Sequence, residues 1–276
     1  MQASKTMGPS TADRWVRNAQ GQSLEVSHQG AGSPVTLVAH SAMGSLKESW
    51  RYSAGIRGTK VAFHFPGYGA STHPGGALSI DVVADSVLAV ARRTGAGRAV
   101  GVSLGACAVL RAMAWDPGLF RHVALILPFA FDRPVPPAVQ QRYDRAISHG
   151  MNANLRGAVD LVRPSLPPGP RFDAIAHDIA QEAMRAGTFE LLSTITTFAP
   201  VPDRTALSAL AARVLVIGHA DDPYHSLKVA TQLSTAIPTA ELHTVAPRSA
   251  LTDRTGIARR LADFFNAATP PQPRRR

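Results

Sequence analysis

Hydrophobic positions along the chain follow two rhythms that alternate. Short continuous apolar runs at 35–39, 60–65, 99–102, 122–127 and 213–218 have the character of strands buried on both faces, and a further strand is expected at 241–245. Between them the apolar residues recur at helical spacing. Ile80, Val83, Val87 and Val90 share one face of a helix that Ser79 caps, with Asp81 in its first turn, Arg92 and Arg93 in its last, and Gly95 as its stop. Leu104, Ala108, Leu110 and Met113 mark the next helix, 227–237 another, and Ile257, Leu261 and Phe264 the last. Residues 24–28 alternate weakly and suggest an edge strand. Strand and helix in alternation predict an α/β fold with a mostly parallel, doubly wound sheet and right-handed crossovers.

The rhythm breaks once. From 131 to 203 prolines cluster at 134, 136, 137, 164, 167, 168 and 170, the segments between them are helical with one polar face, and no buried strand is visible. The expected division is a flexible polar lead-in over 1–22, a core built from 23–130 and 204–267, a helical insertion over 131–203 and a disordered basic tail over 268–276.

Bulk properties narrow the setting. With 276 residues, 45% hydrophobic and 17% charged, the chain can bury a large core and is neither disordered nor fibrous. A lone cysteine, Cys107, allows no disulfide within the chain. The start, MQASKTMGPSTADRW, has no apolar core of a signal peptide, and no run is long enough to span a membrane. A soluble cytoplasmic protein without membrane contact is expected. The net charge of +10 raises the question of nucleic acid. Its arginines are scattered, however, no aromatic residues interleave with them, and the one dense run is Arg274-Arg275-Arg276. A small-molecule substrate is expected, and nucleic acid is not.

Candidate chemistry centres on Gly101-Val102-Ser103-Leu104-Gly105, a G-x-S-x-G pentad between a strand and a helix. A serine at so sharp a turn holds strained backbone, and the flanking glycines let neighbouring elements approach without Cβ clashes. Its Oγ is then presented at the sheet end, beside a helix N-terminus whose free N–H groups can receive an oxyanion. On these residues the chain resembles the α/β-hydrolase family, with Ser103 at the nucleophile elbow, and the resemblance covers roughly residues 23 to 267. It implies that 131–203 is a helical cap over the active site, and that Ser103 lies at the base of a pocket between sheet and cap. The segment His40-Ser41-Ala42-Met43-Gly44-Ser45 is similar to the family's oxyanion-hole loop, with Ser41 where a glycine is usual. Ala42 and Leu104 are the implied N–H donors. His64-Phe65-Pro66-Gly67-Tyr68-Gly69-Ala70-Ser71 resembles another family turn, with His64 in place of an aspartate and a structural role expected for it.

A serine hydroxyl needs a base to take its proton and a carboxylate to orient that base. The resemblance places the acid in His219-Ala220-Asp221-Asp222-Pro223-Tyr224-His225, where Asp222 is preferred over Asp221. The family's histidine follows the last strand, but Ala246-Pro247-Arg248-Ser249-Ala250-Leu251 contains none. Three arrangements stay open: His225 as substitute base, His243 as base, or no base and a reaction other than acyl transfer. His225 sits so near Asp222 that Asp221 is the expected orienting acid if His225 serves. The histidine–aspartate cluster at 219–225 matches no metal-ligand spacing, so no metal and no cofactor is expected. The reading favours acyl ester or thioester hydrolysis or transfer through Ser103. A lyase, eliminase or cyclase, or a non-catalytic binding protein on the same scaffold, stands as the alternative.

Overall fold

A computed structural model describes residues 14–220, 222–245 and 254–267. The sheet begins at the N-terminus with β1 (Trp15–Arg17) and β2 (Ser23–Gln29), followed by β3 (Val35–Ala39), helix α1 (Leu46–Tyr52) and β4 (Thr59–Phe63). Then come α2 (Ile80–Thr94), β5 (Arg98–Val102), α3 (Leu104–Trp115) and β6 (His122–Ile126). After a helical insertion the sheet resumes with β7 (Arg213–His219), α8 (Leu227–Ala236), β8 (Ala240–Val245) and α9 (Arg254–Asn266). Strand order is β1-β2-β4-β3-β5-β6-β7-β8. β2 runs antiparallel to β1 and β4, and all pairs from β4 across to β8 are parallel.

The expected signals for α2 act as anticipated. Ser79 accepts from the Val82 N–H at 3.2 Å, and Gly95, at φ 67°, closes the helix with its N–H on the Ala91 carbonyl. Val83, Val87 and Val90 are fully buried beneath it, each worth roughly 1.5–3 kcal/mol of burial. β5 and β6 lie at the centre of the sheet, which is why their sequences are continuously apolar: β6 is buried at every position.

Two expectations need correction. Residues 1–22 do not all form a lead-in: Trp15–Arg17 pairs with Ser23–Gln29 as the edge strand, so the run at 24–28 lies one strand inside. Three residues with one buried side chain, Val16, are too short to show a period. Helix α1, between the oxyanion-like segment and β4, also lacked a readable pattern, since only Ser49 and Tyr52 are buried on it. Residues 1–13, the tail (268–276), Asp221 and the segment 246–253 lie outside the described residues.

Between β6 and β7 the described residues form helices and turns: α4 (Pro137–Met151), α5 (Leu155–Val162), α6 (Pro170–Arg185) and α7 (Thr188–Leu191), with short 3-10 turns. Prolines stand at the starts of α4 and α6, where their missing N–H is unneeded. The two ends of the insertion meet, the Val201 N–H donating to the Phe131 carbonyl at 3.0 Å. It is also tied to the core, because the Leu78 N–H donates to the Leu191 carbonyl at 2.8 Å.

Candidate active site

Ser103 stands between β5 and α3 with φ 51° and ψ −105°, a backbone conformation unusual for a side chain of this kind. Holding it costs on the order of 1–3 kcal/mol, offset by the surrounding bonds. The Ser103 N–H donates to the Ile126 carbonyl at 2.8 Å, and its own carbonyl accepts from the Cys107 N–H at 3.0 Å. The glycines act as sterics demand: a Cβ on Gly101 would strike the Gly105 carbonyl, and one on Gly105 would strike that of Ala39. The Gly105 N–H then reaches the His40 carbonyl at 3.2 Å, drawing the start of α3 against the loop after β3.

The partner of Ser103 comes from the loop after β7. His225 Nε2 lies 2.9 Å from Ser103 Oγ, and His225 Nδ1 lies 2.9 Å from Asp222 Oδ1. The same carboxylate oxygen accepts the backbone N–H groups of Tyr224 at 2.8 Å and His225 at 2.9 Å. This differs from the expectation that Asp222 is too close in sequence to orient His225. An Asx turn folds the backbone around the carboxylate, Pro223 fixes one dihedral of that turn, and the imidazole swings back over the oxygen already holding its N–H. Helix α8 begins only at Leu227, so His225 is in a turn, not on a helix.

Electrostatics fit the pairing. Burial would raise the Asp222 pKa, but the charge and hydrogen bond of His225, with the N–H groups of Tyr224 and His225, outweigh it and lower it from 3.8 to about 2. The acid is therefore a carboxylate at any ordinary pH. Its side chain is 4% exposed and that of His225 is 15% exposed. The Nδ1–H of His225 faces the carboxylate, which leaves Nε2 as the acceptor for the serine proton.

The loop is clamped from the insertion. Tyr224 hydroxyl donates to the Asp160 carbonyl on α5 at 3.1 Å, and its ring packs edge-on against Tyr143 of α4, centroids 4.8 Å apart. Arg142 donates to the Pro223 carbonyl at 3.4 Å.

On the opposite side, Ala42 follows β3. Ser41 takes the place of a glycine without left-handed backbone. Its N–H and Oγ donate to the two carboxylate oxygens of Glu48, at 2.7 and 3.0 Å, and its carbonyl accepts from Gly44 N–H and His40 Nδ1. His40 is fully buried, and burial pushes its pKa down to about 3, so it is neutral. The Ala42 carbonyl accepts from the Tyr68 hydroxyl at 2.8 Å, which anchors the loop after β3. Leu104 supplies the first N–H of α3, which has no carbonyl one turn earlier in the helix.

Ser103, His225 and Ala42 all line one cavity of about 290 Å³. Its walls are mainly apolar: Leu127 from the core and Tyr143, Leu161, Leu166, Ile179 and Leu192 from the insertion. Lys47 and Arg51 of α1 stand at its rim.

Of the other sequence candidates, His243 lies within β8 opposite Ile217 and does not line the cavity. Asp221 and the segment 246–251 fall outside the described residues. His64 pairs with Glu25 at 2.9 Å, away from Ser103. Reading the sequence did not single out Tyr143, Tyr224 or Glu48; Tyr224 was signalled only by its place between Asp222 and His225. No group of three metal-ligating side chains occurs among the described residues, and none of their helices is long and apolar enough to cross a membrane.

No family model matches the chain, and no curated protein matches it. Solved structures do. An esterase from Exiguobacterium antarcticum superposes with a TM-score of 0.74 at 14% identity, covering 92% of this chain and 99% of that one. The enol-lactonase from Burkholderia xenovorans LB400 gives 0.75 at 17% identity, covering 92% and 100%. A meta-cleavage product hydrolase from Pseudomonas fluorescens IP01 gives 0.68 at 16%, covering 91% and 97%. Likeness over such a share of both chains, together with the sheet order and the strained serine turn, identifies the chain as a protein of the α/β-hydrolase fold.

Proposed function

We propose that the chain hydrolyses carboxylic esters or thioesters through an acyl-enzyme on Ser103, with 131–203 acting as a cap that shapes the acyl site. The carrying observation is the 2.9 Å contact between Ser103 Oγ and His225 Nε2, in line with the 2.9 Å contact from His225 Nδ1 to Asp222. As Oγ attacks the carbonyl carbon, its proton passes to Nε2, and Asp222 stabilises the imidazolium that forms. The tetrahedral oxyanion is received by the Ala42 and Leu104 N–H groups. Collapse expels the alcohol or thiol, which takes the proton from Nε2. A water then repeats the sequence on the acyl-serine, releasing the acid and restoring Ser103.

The apolar walls suit an uncharged hydrocarbon or aryl acyl group. Structures with this fold include an esterase and an enol-lactonase, which supports ester chemistry as the reading. The contact between His225 and Ser103 supports acyl transfer over lyase or cyclase chemistry.

The test is treatment with a serine-directed fluorophosphonate, with tryptic mapping of the adduct, alongside turnover of p-nitrophenyl butyrate. Labelling at Ser103 and activity abolished by Ser103→Ala are expected. Full activity in Ser103→Ala, or labelling elsewhere, overturns the reading.

A further inference from the structure

The strands begin, at the end of the sheet away from Ser103, with a row of polar residues. Register pairs Thr36 with Arg98, Arg98 with His122, and His122 with Arg213, so these four stand side by side across β3, β5, β6 and β7 on one face. Two positions up, the same face carries Val38, Val100, Ala124 and Leu215, which pack together as ordinary core. The change from apolar to basic is therefore abrupt.

These residues open on a cleft of about 950 Å³ lined by Arg98, Arg121, His122 and Arg213, with Pro34 and Phe120 among its apolar walls. Its charge is poorly balanced. Arg98 and Arg121 make no ion pair among the described residues, while Arg213 shares the single carboxylate of Glu241 with Arg260, at 3.3 Å each. His122 is 6% exposed, and its Nδ1 has no hydrogen-bond partner. Its ring meets Phe264 of α9 edge-on at 6.2 Å, which offers no acceptor. A buried imidazole nitrogen left unpaired beside three guanidinium groups costs stability unless something else completes it.

We propose that this cleft binds a phosphate-bearing small molecule, its phosphate held by Arg98, Arg121 and Arg213 and hydrogen-bonded by His122. Guanidinium forks match phosphate oxygens in pairs, and three of them balance a dianion better than the single charge of a carboxylate. The cleft is far larger than a bare ion, and its apolar walls can take the organic part. His122 lines the same cleft, with its ring beside the guanidinium groups. The anion relieves the repulsion by which Arg98, Arg213 and Arg121, after burial, hold the His122 pKa below its usual value. Arg98 and Ser103 stand at opposite ends of β5, about 16 Å apart at the rise of a strand, so the site is separate from the candidate active site and independent of the ester reading.

Isothermal titration of the full chain with inorganic pyrophosphate and with phenyl phosphate, at fixed ionic strength, tests this. One-to-one binding is expected, with acetate at least about tenfold weaker. Arg98→Gln and Arg213→Gln should each weaken pyrophosphate about tenfold, Arg98→Lys less, while Ser103→Ala and Arg185→Gln, an exposed residue at the end of α6, leave it unchanged. Thermal melts of each variant separate lost binding from lost folding, and Arg98→Lys keeps the charge where Gln variants fail to fold. Absence of binding, equal binding of acetate, or equal weakening by Arg185→Gln overturns the proposal.

Discussion

Asp222 and His225, three residues apart, are joined through one oxygen: Oδ1 of the aspartate accepts the backbone N–H of His225 at 2.9 Å and its Nδ1 at 2.9 Å. The carboxylate thus builds the turn that carries the imidazole and also orients the ring. Asp222→Asn separates the two roles, because an amide oxygen still accepts from the backbone but cannot stabilise an imidazolium. The variant should fold normally and lose about 10²–10⁴-fold in kcat on p-nitrophenyl butyrate, with KM little changed. Steady-state kinetics and a thermal melt check this.

The same carboxylate ties stability to pH. Its folded pKa, about 2, lies below the unfolded value of 3.8, so its contribution is present in full above the unfolded value and is lost as pH falls through about 2. That contribution is on the order of 2 kcal/mol. Glu25, lowered from 4.5 to about 2, follows the same sign: burial opposes its ionisation, but the Ala70 N–H, Arg14 and His64 outweigh it. Urea melts between about pH 6 and pH 2 should show the gap between Asp222→Asn and the parent closing as the pH falls.

Glu48 substitutes for the conformational freedom that a glycine at position 41 would supply. Glu48→Ala strips acceptors from the Ser41 N–H and Oγ, so the peptide of Ala42 loses its support. The expected loss is about tenfold or more in kcat, with smaller change in affinity for a product carboxylate, measured by inhibition kinetics.

Gly105→Ala drives a methyl into the Ala39 carbonyl at the point where α3 meets β3. A destabilisation of about 1–3 kcal/mol or more is expected from chemical denaturation, since backbone on both sides prevents relief.

Acyl choice should reside in the insertion. Ile179→Trp on α6 takes up part of the cavity and should move the preferred p-nitrophenyl ester to a shorter chain, without loss on the acetate. A chain-length series for parent and variant gives the answer.

Much of this was legible in the chain because it depends on local chemistry. The strands β3 to β7 announce themselves by being buried on both faces, and α2 by its cap and stop. Ser103 is legible because strained backbone, two glycines and a helix start leave few other uses for such a pentad. The orientation of His225 was not, because spacing along the chain does not reveal that an Asx turn doubles it back. Nor were Tyr143 and the other cavity walls: they come from amphipathic helices whose apolar faces look alike whether they cover a core or a substrate. The basic row at the strand starts is invisible in sequence for another reason, since Arg98, His122 and Arg213 are brought together only by the register of three strands.

The short loop carrying both acid and base has a mechanical meaning. Asp222 and His225 travel as one piece, so thermal or mutational displacement of the loop leaves Nδ1–Oδ1 intact and alters a single joint, Nε2 to Oγ. Alignment of all three side chains is then set by how firmly one peptide loop is moored. Its moorings, Tyr224 on Asp160 and Arg142 on Pro223, belong to the same helices that wall the cavity. Whatever loosens those helices also shifts the imidazole relative to Ser103.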